Sequence, residues 1–358
     1  MRVGLFPFGG VANPYTTLIG RCLDMAAISW KPIQDTKWFP VQRALRQGID
    51  ILQMYWPSNL YKSSTWLGTM AKRLMFFDGL RRLENFPFVH SVDNLWPHDS
   101  KDESYDRAVT QKLLSYADGL IVTVPAAKDI LLQTYRLPAD VVWGYIPHCN
   151  YMDWYPNCIS KGAARDLLGL QSARSVLLAL GRIAAYKGLS GLVEAFFAAN
   201  VVGSVLLVAG RPQSDAALAG VAESIRRASR GKSCEVRLVP RFIEDDEVQI
   251  FVNASDALAV SYADVPMNPG SVVLAMSFGR CVLAPRKGVT ANILGPECFF
   301  GYDESDRDSY VAAIRTILQA NDLDRRGAVA MDRASQNHSP EVVAECFRSF
   351  YAGLRNRL

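Results

Sequence analysis

A chain of 358 residues is longer than one hydrophobic core usually serves, so the sequence predicts two domains. Its hydrophobic fraction of 49% and charged fraction of 21% are typical of a folded protein and exclude a disordered chain. The formal net charge of +4 is small and no long Lys/Arg block accompanies it, which excludes nucleic acid as an expected partner.

The N-terminal run and the cysteines indicate where the protein works. The apolar run after Met1 is too short for the core of a signal peptide and is broken by Pro7. No uncharged stretch approaches the roughly 20 residues that a membrane span needs. The seven cysteines are odd in number and lack C-x-x-C spacing, which predicts no zinc site and no disulfide framework. We therefore expect a cytoplasmic protein.

Short apolar runs alternate with amphipathic helical patterns along the whole chain, which is typical of doubly wound α/β domains. The apolar runs predict strands at residues 3–8, 49–55, 88–92, 119–124, 141–146, 176–180, 204–209, 236–238, 257–261, 281–284 and 298–301. The helical patterns predict helices at residues 15–27, 65–83, 104–116, 126–135, 188–198, 215–229, 245–254, 271–278 and 308–320, with a closing helix at 340–357. A hinge is expected around residues 147–159, where periodicity is interrupted.

The turn Gly181-Arg182-Ile183-Ala184-Ala185-Tyr186-Lys187-Gly188 follows a predicted buried strand and opens a predicted helix. Ligands of open α/β sheets bind beyond the carboxyl ends of the strands, which is where this turn lies. A helix start offers unpaired N–H groups and a positive dipole end. Arg182 adds a forked donor and Lys187 a point charge, and together they predict a diphosphate site. The alternative is an ordinary helix start with solvated cations.

A second turn, Asn268-Pro269-Gly270-Ser271, precedes the apolar helix predicted at 271–278. Gly270 lets the backbone approach a ligand closely, and Ser271 is either an N-cap or a phosphate contact. The alternative is a plain N-cap after a Pro-Gly turn. Since both turns lie at the same edge of one predicted sheet, they can hold one diphosphate between them.

Two turns in the first half also follow predicted strands. The turn Phe8-Gly9-Gly10-Val11-Ala12-Asn13 follows the first strand, although a Gly-Gly turn is also needed there for steric reasons alone. The loop Asp93-Asn94-Leu95-Trp96-Pro97-His98-Asp99 places two carboxylates and an imidazole within seven residues. This loop predicts a general base with an orienting partner, or else an Asx turn with a buried histidine.

These turns, in this order across two α/β halves, resemble the GT-B glycosyltransferases. The closer resemblance is to the xanthan-type bacterial exopolysaccharide β-mannosyltransferases, which pass mannose from GDP-mannose to a lipid-linked oligosaccharide. It runs through most of the chain and is carried by Asn13-Pro14-Tyr15, Trp56-Pro57, Leu67-Gly68-Thr69-Met70-Ala71-Lys72, Asn94-Leu95, Pro97-His98-Asp99, Tyr186-Lys187-Gly188 and the run from Gly270-Ser271 to Leu274-Ala275-Met276-Ser277-Phe278-Gly279.

The resemblance implies a GT-B fold, in which two Rossmann-like doubly wound domains face each other across a cleft. Residues 1–155 are then the acceptor-binding domain and residues 160–337 the nucleotide-sugar-binding domain. Residues 338–358 form a helix that crosses back to the first domain.

Two departures from the family pattern matter. The familiar retaining GT-B enzymes carry two glutamates eight positions apart, and counting from Gly279 those positions hold Pro266 and Leu274 here. Their loss fits the inverting xanthan-type family. Members of that family are expected to carry His where this chain has Asp93, so the role of this residue can differ.

An inverting transfer needs a base on the first domain. Asp93 is the first candidate because it stands nearest a strand end, and His98 and Asp99 are the reserves. Arg182, Lys187, Gly270 and Ser271 are expected to bind the donor diphosphate. No Asp-x-Asp follows a strand, so neither a metal nor any other cofactor is expected. Seven further residues are expected to line the donor and acceptor cleft: Gly9, Gly10, Asn13, Asn94, Tyr186, Tyr262 and Asn268.

The predicted helix 65–83 mixes apolar residues with nearby cations, which is typical of a helix that lies in an anionic membrane interface without spanning it. Its alternative is a core-facing helix with solvated cations. A lipid-linked acceptor would be reached at such a surface, on the inner face of the plasma membrane.

Two other functions stay open, and a third is disfavoured. One is a retaining transferase that uses another nucleotide sugar, and another is a nucleotide-sugar-binding partner protein without activity. A dinucleotide oxidoreductase is disfavoured because the Gly9-Gly10 turn lacks the three-glycine fingerprint.

Overall fold

The structure of the chain, a computed structural model, describes residues 1–9, 14–34, 39–98, 100, 102–263, 265 and 267–357. The chain divides into two compact units. Unit 1 comprises Met1–Cys149 together with His338–Leu358, and unit 2 comprises Asn150–Asn337.

The strands of unit 1 are β1 Arg2–Phe6, β2 Ser29–Pro32, β3 Ile51–Met54, β4 Phe88–Ser91, β5 Gly119–Val122 and β6 Val142–Tyr145. Within the described residues they form a parallel six-stranded sheet in the order β2-β1-β3-β4-β5-β6. Strands β3, β4 and β5 are buried along their whole length, as expected of apolar runs in a parallel sheet. The winding direction reverses between β1 and β3, which makes that pair the switch point of the sheet.

The strands of unit 2 are β7 Ser175–Leu180, β8 Ser204–Ala209, β9 Glu235–Val239, β10 Ala257–Ala259, β11 Cys281–Pro285 and β12 Phe299–Tyr302. They form a second parallel sheet, in the order β12-β11-β10-β7-β8-β9 over the described part of the chain. This order is that of a dinucleotide-binding fold, and its switch point lies between β7 and β10.

The helices, in chain order, are α1 Tyr15–Met25, α2 Val41–Arg46, α3 Trp66–Arg81, α4 Glu103–Leu114, α5 Pro125–Thr134, α6 Lys161–Leu167, α7 Leu189–Ala199, α8 Asp215–Ala228, α9 Val248–Ala254, α10 Gly270–Ser277, α11 Thr290–Leu294, α12 Arg307–Gln319, α13 Leu323–Asn337 and α14 Pro340–Arg355. Helices α1–α5 and α14 belong to unit 1, and α6–α13 belong to unit 2. The prediction of two doubly wound α/β domains is confirmed.

The last helix packs on unit 1, against α1 and β6. Two strand glycines make room for its Phe350 ring. A Cβ atom on Gly119 would lie 2.8 Å from that ring, and one on Gly144 would lie 2.7 Å from it. The ring can therefore sit directly on the backbone of the sheet.

Several local predictions are wrong, for physical reasons. Strand β2 was missed because its four residues form an exposed edge without an apolar run. Helices α2, α6, α11 and α13 were also missed. Helix α13 is mostly polar and buries Leu323 with only small residues beside it, namely Gly327, Ala330 and Ala334, so it lacks the large apolar side chains that mark a helix in a sequence. Helix α9 begins at Val248 rather than at residue 245, because the acidic residues before it form a turn.

Candidate functional site

The switch point of unit 2 brings two loops together at the carboxyl ends of adjacent strands. The loop after β7 holds Arg182 and Lys187, and the loop after β10 holds Tyr262 and leads to Ser271. Strands β7 and β10 pair directly, so the two loops start side by side. Open α/β sheets bind their ligands at such a point.

Backbone contacts fix the two loops against each other. The Ser261 hydroxyl donates to the carbonyl of Lys187 at 2.6 Å, and the N–H of Ala263 donates to the carbonyl of Tyr186 at 2.8 Å. Gly188 has a positive φ of 62°, and a Cβ there would lie 2.3 Å from the carbonyl oxygen of Ser261. Only glycine allows this approach.

Lys187 lies at the centre of the site and is half-buried. Its ammonium group donates to the Tyr262 hydroxyl at 3.1 Å and lies 4.4 Å from the centre of that ring. The Tyr262 hydroxyl is in turn 3.2 Å from the Ser271 hydroxyl. The ring of Tyr186 stacks on that of Tyr262 with centroids 6.2 Å apart. The predicted site residues Tyr186, Lys187, Tyr262 and Ser271 thus form one cluster.

Lys187 and Tyr262 shift each other's pKa, each in the direction that favours the charged form of both. Burial lowers the pKa of Lys187, but the nearby Tyr262 and Tyr186 hydroxyls outweigh it, and the net pKa lies above the ordinary value. Burial raises the pKa of Tyr262, but the Lys187 ammonium lowers it by more, and the net pKa lies below the ordinary value. The lysine therefore carries its charge at neutral pH.

Arg182 lies on the same turn and is exposed. Within the described ranges, its guanidinium makes no hydrogen bond or ion pair. Together with Lys187 and Ser271 it lines a hollow of about 280 Å³, counted to its open mouth. No acidic side chain appears among the described residues that line this hollow. Two cations without a carboxylate make an anion site.

Helices α7 and α10 both begin at this hollow. Among the described residues no side chain caps either helix, and the cap positions are Gly188 and Pro269. Their first turns therefore present N–H groups and positive dipole ends. Ser271 is the second residue of α10, so its interpretation as an N-cap is wrong. Gly270 is the first residue, and its N–H donates to the carbonyl of Asn268 at 3.0 Å.

In unit 1, Asp93 follows β4 at the carboxyl edge of the sheet and is buried. Its Oδ1 accepts a hydrogen bond from the Tyr15 hydroxyl at 3.2 Å. The Tyr15 ring packs against His148, with centroids 4.8 Å apart. Burial lowers the pKa of His148 to about 4, so this imidazole is neutral at pH 7. Asp93 is thus held by a hydroxyl beside neutral rings.

The other predicted residues of unit 1 are placed only in part. His98 and Asn94 are half-buried in the loop after Asp93. Gly9 is exposed and has a φ of 101°, which explains the glycine at this turn. Gly10, Asn13 and Asp99 lie outside the described residues, as does Pro266.

A buried polar network around Gln53, close enough for Asp93 to act on its Tyr55 hydroxyl, was not predicted. Gln53 donates to the hydroxyls of Tyr55 and Ser91, both at 2.8 Å, and accepts from the hydroxyl of Tyr351. Burial, followed by the charges of Tyr351 and Asp93, raises the pKa of Tyr55 well above its usual range. A signal existed, because Gln53 is the polar residue in the apolar strand β3. Ser261 was also missed.

The described residues contain neither a metal-ligand cluster nor a membrane-spanning helix. No group of three or more His, Cys, Asp or Glu side chains in these ranges is arranged to hold a metal ion. Nor do these ranges contain a helix with the length and apolar character needed to cross a membrane.

No family model matches the chain. Over 297 residues the chain is 24% identical to the GDP-mannose:glycolipid 4-β-D-mannosyltransferase of Xanthomonas campestris pv. campestris, and the match covers 81% of this chain and 76% of that protein. It is similar to the solved structure of sucrose-phosphate synthase from Thermosynechococcus elongatus, with a TM-score of 0.76 and 18% identity over 100% of both chains. It is also similar to Anabaena HepE in complex with UDP and glucose, with a TM-score of 0.71 and 15% identity over 98% of this chain and 99% of that one. The shared fold and the related sequence identify the chain as a glycosyltransferase of the GT-B fold, near the family of glycolipid β-mannosyltransferases.

Proposed function

We propose that this glycosyltransferase moves mannose from GDP-mannose to a lipid-linked oligosaccharide, with inversion, in exopolysaccharide biosynthesis. The observation that carries the proposal is the hollow at the switch point of unit 2, lined by Arg182 and Lys187. A nucleoside diphosphate matches its charge. The choice of GDP-mannose and of a glycolipid acceptor rests on the name of the Xanthomonas campestris relative.

The cations of this hollow take the role that a metal ion has in other transferases. As the bond from the anomeric carbon to the diphosphate breaks, negative charge builds on the leaving phosphate. Arg182, Lys187 and the first turns of α7 and α10 would stabilise that charge. The proposed reaction therefore uses no metal or other cofactor.

Asp93 is the proposed base. The acceptor hydroxyl attacks the anomeric carbon on the face opposite the leaving diphosphate, and its proton passes to the Asp93 carboxylate. The hydrogen bond from Tyr15 would orient that carboxylate. Inversion is further supported by Leu274, an apolar side chain on α10 at a position where retaining enzymes carry a glutamate.

A panel of nucleotide sugars tests the proposal. We expect GDP-mannose to raise the melting temperature of the protein more than UDP-glucose does at the same concentration, because the ligand that binds the folded state more tightly stabilises it more. With a lipid-linked acceptor, excess EDTA should leave the transfer rate unchanged, and the product should be the β-mannoside. An α-linked product would contradict inversion, and loss of transfer in EDTA would contradict the role given to the cations.

A second donor is favoured by one observation. HepE, whose fold this chain shares, was solved in complex with UDP and glucose. If UDP-glucose stabilises the protein and is consumed while GDP-mannose is not, the chain is a glucosyltransferase. Binding of a donor without hydrolysis or transfer would indicate a partner protein without activity.

Helix α3 is the proposed contact with a membrane. The side chains of Phe76 and Leu80 are buried on its inner face. Its outer face leaves Trp66, Leu67 and Leu74 more than 70% exposed, at 74%, 73% and 71%. Helix α3 therefore has an exposed apolar face in addition to the buried face that the core-facing alternative expects. Contiguous patches of exposed apolar side chains mark interaction surfaces, and these three side chains lie within nine residues of one helix.

The charges around α3 favour an anionic lipid surface. Lys72 and Arg73 lie on the helix, where Arg73 stacks on the Tyr105 ring at 3.6 Å and Lys72 donates to the carbonyl of Asn59. Arg81 follows at its C-terminal end. An apolar face flanked by cations binds such a surface without crossing it. We accordingly propose that the protein works at the inner face of the plasma membrane.

Vesicle flotation tests this surface. With phosphatidylcholine vesicles that contain about a third phosphatidylglycerol, we expect the wild-type protein to float and the double variant Trp66→Ser, Leu74→Ser to bind at least about tenfold more weakly. Leu132→Ser is the matched control, since Leu132 is also exposed, at 52%, but lies on α5. Equal flotation of the double variant and the wild type would contradict the assignment.

A further inference from the structure

Lys187 is enclosed more than a solvated lysine would be. Its ammonium group lies between the Tyr262 ring at 4.4 Å and the Tyr186 ring at 5.7 Å. It also lies above the turn at Gly181, where a Cβ atom would be 3.8 Å from its Nζ. A lysine side chain has several rotatable bonds, so holding it in one place costs conformational entropy. A favourable interaction within the site must offset that entropy cost.

The Tyr262 hydroxyl is the group that fixes the ammonium. A lysine ammonium can only donate, so Lys187 donates to the Tyr262 oxygen at 3.1 Å. The single hydroxyl proton of Tyr262 is then free to point at the Ser271 oxygen, 3.2 Å away on the first turn of α10. The result is a continuous hydrogen-bonded chain from Lys187 through Tyr262 to Ser271.

This chain leaves most of the ammonium available. One of its three N–H groups is used by Tyr262. In the part of the chain that the structure describes, the other two have no hydrogen-bond acceptor, and Lys187 forms no ion pair. The same ammonium lines the hollow beside Arg182. An anion that enters meets a donor already in place, which spares the reorganisation that a mobile lysine would need.

We propose that Tyr262 is a positioning residue, whose hydroxyl holds the Lys187 ammonium where the diphosphate of the donor binds. This assignment rests on the proposed function, because it presumes that the hollow binds a nucleoside diphosphate. A role in packing alone is the competing explanation, since the Tyr262 ring also stacks on Tyr186. The two explanations differ in what happens when the hydroxyl is removed and the ring is kept.

Tyr262→Phe separates them. We expect its dissociation constant for GDP or UDP, whichever the wild type binds more tightly, to rise about tenfold. Affinity for the corresponding nucleoside should stay within about twofold, because a nucleoside has no phosphate for Lys187 to contact. The matched control is Tyr155→Phe, since Tyr155 also packs on a tyrosine of unit 2, with centroids 5.5 Å apart, and should bind as the wild type does.

A double-mutant cycle completes the test. In a Lys187→Met background, Tyr262→Phe should weaken diphosphate binding by less than about twofold, because the group it positions is gone. The proposal is overturned if Tyr262→Phe binds the diphosphate like the wild type. It is equally overturned if diphosphate and nucleoside weaken alike, or if the effects of the two substitutions multiply. A wild-type protein that binds neither GDP nor UDP overturns the proposed function itself, and this assignment with it.

Discussion

Replacing Lys187 by methionine is expected to lower the turnover number by roughly 10²–10³-fold, the usual effect of removing one preorganised donor from a site of developing charge. Methionine keeps an apolar stem of similar length, so the contacts with the Tyr186 and Tyr262 rings largely persist. The measurement is the initial rate at saturating donor, with the melting temperature as a check on folding.

The control for this prediction is Lys232→Met. Lys232 is also a lysine of unit 2, but it is exposed and lies before β9, away from the switch point. It should turn over at the wild-type rate. Because the net pKa of Lys187 lies above its ordinary value, loss of the lysine charge should not contribute to the pH profile below about pH 9. A Lys187→Met variant with wild-type turnover would contradict the role of the hollow.

Replacing Asp93 by asparagine is expected to lower turnover by roughly 10²–10⁴-fold, the range usually attributed to a positioned general base. Asparagine has nearly the same shape and still accepts the hydrogen bond from Tyr15, but it cannot take a proton from the acceptor hydroxyl. Binding of the nucleoside diphosphate should not change, because the proposed diphosphate site lies on unit 2 and Asp93 lies on unit 1.

Asp129→Asn is the matched control, since Asp129 is an exposed aspartate on α5 of the same unit. It should keep full activity. If Asp93→Asn turns over normally, the base is His98 or Asp99, and the His98→Ala and Asp99→Asn variants would tell them apart. Loss of both turnover and nucleotide affinity in Asp93→Asn would instead point to a structural role.

The parts of the fold that were predicted correctly carry strong local patterns. Strand β7 is a continuous apolar run, and the cations Arg182 and Lys187 follow it within one turn. Such a strand, turn and helix can be read from adjacent residues. The edge strand β2 has no such pattern, because its side chains are mostly exposed.

The contacts between residues far apart in the sequence, which form the sites, could not be predicted from local sequence patterns. Lys187 and Tyr262 are separated by 75 residues, and Tyr15 and Asp93 by 78 residues. Which residue meets which depends on the order of strands in each sheet, and that order is set by the packing of the whole unit. The resemblance to GT-B enzymes supplied the regions involved, but not the hydrogen bonds between them.

Helix α3 illustrates a related limit. Its sequence is apolar on nearly every face, so a pattern of residues could not tell a buried helix from one with an exposed apolar surface. The structure separates the two faces. Phe76 and Leu80 turn inward, while Trp66 and Leu74 remain exposed.

A crystal structure of the protein with GDP bound tests the central claim most directly. Phosphate oxygens within hydrogen-bond distance of the Lys187 ammonium, beside the first turns of α7 and α10, are the result predicted here. A nucleotide seated elsewhere, with Lys187 and Arg182 turned into solvent, would contradict it.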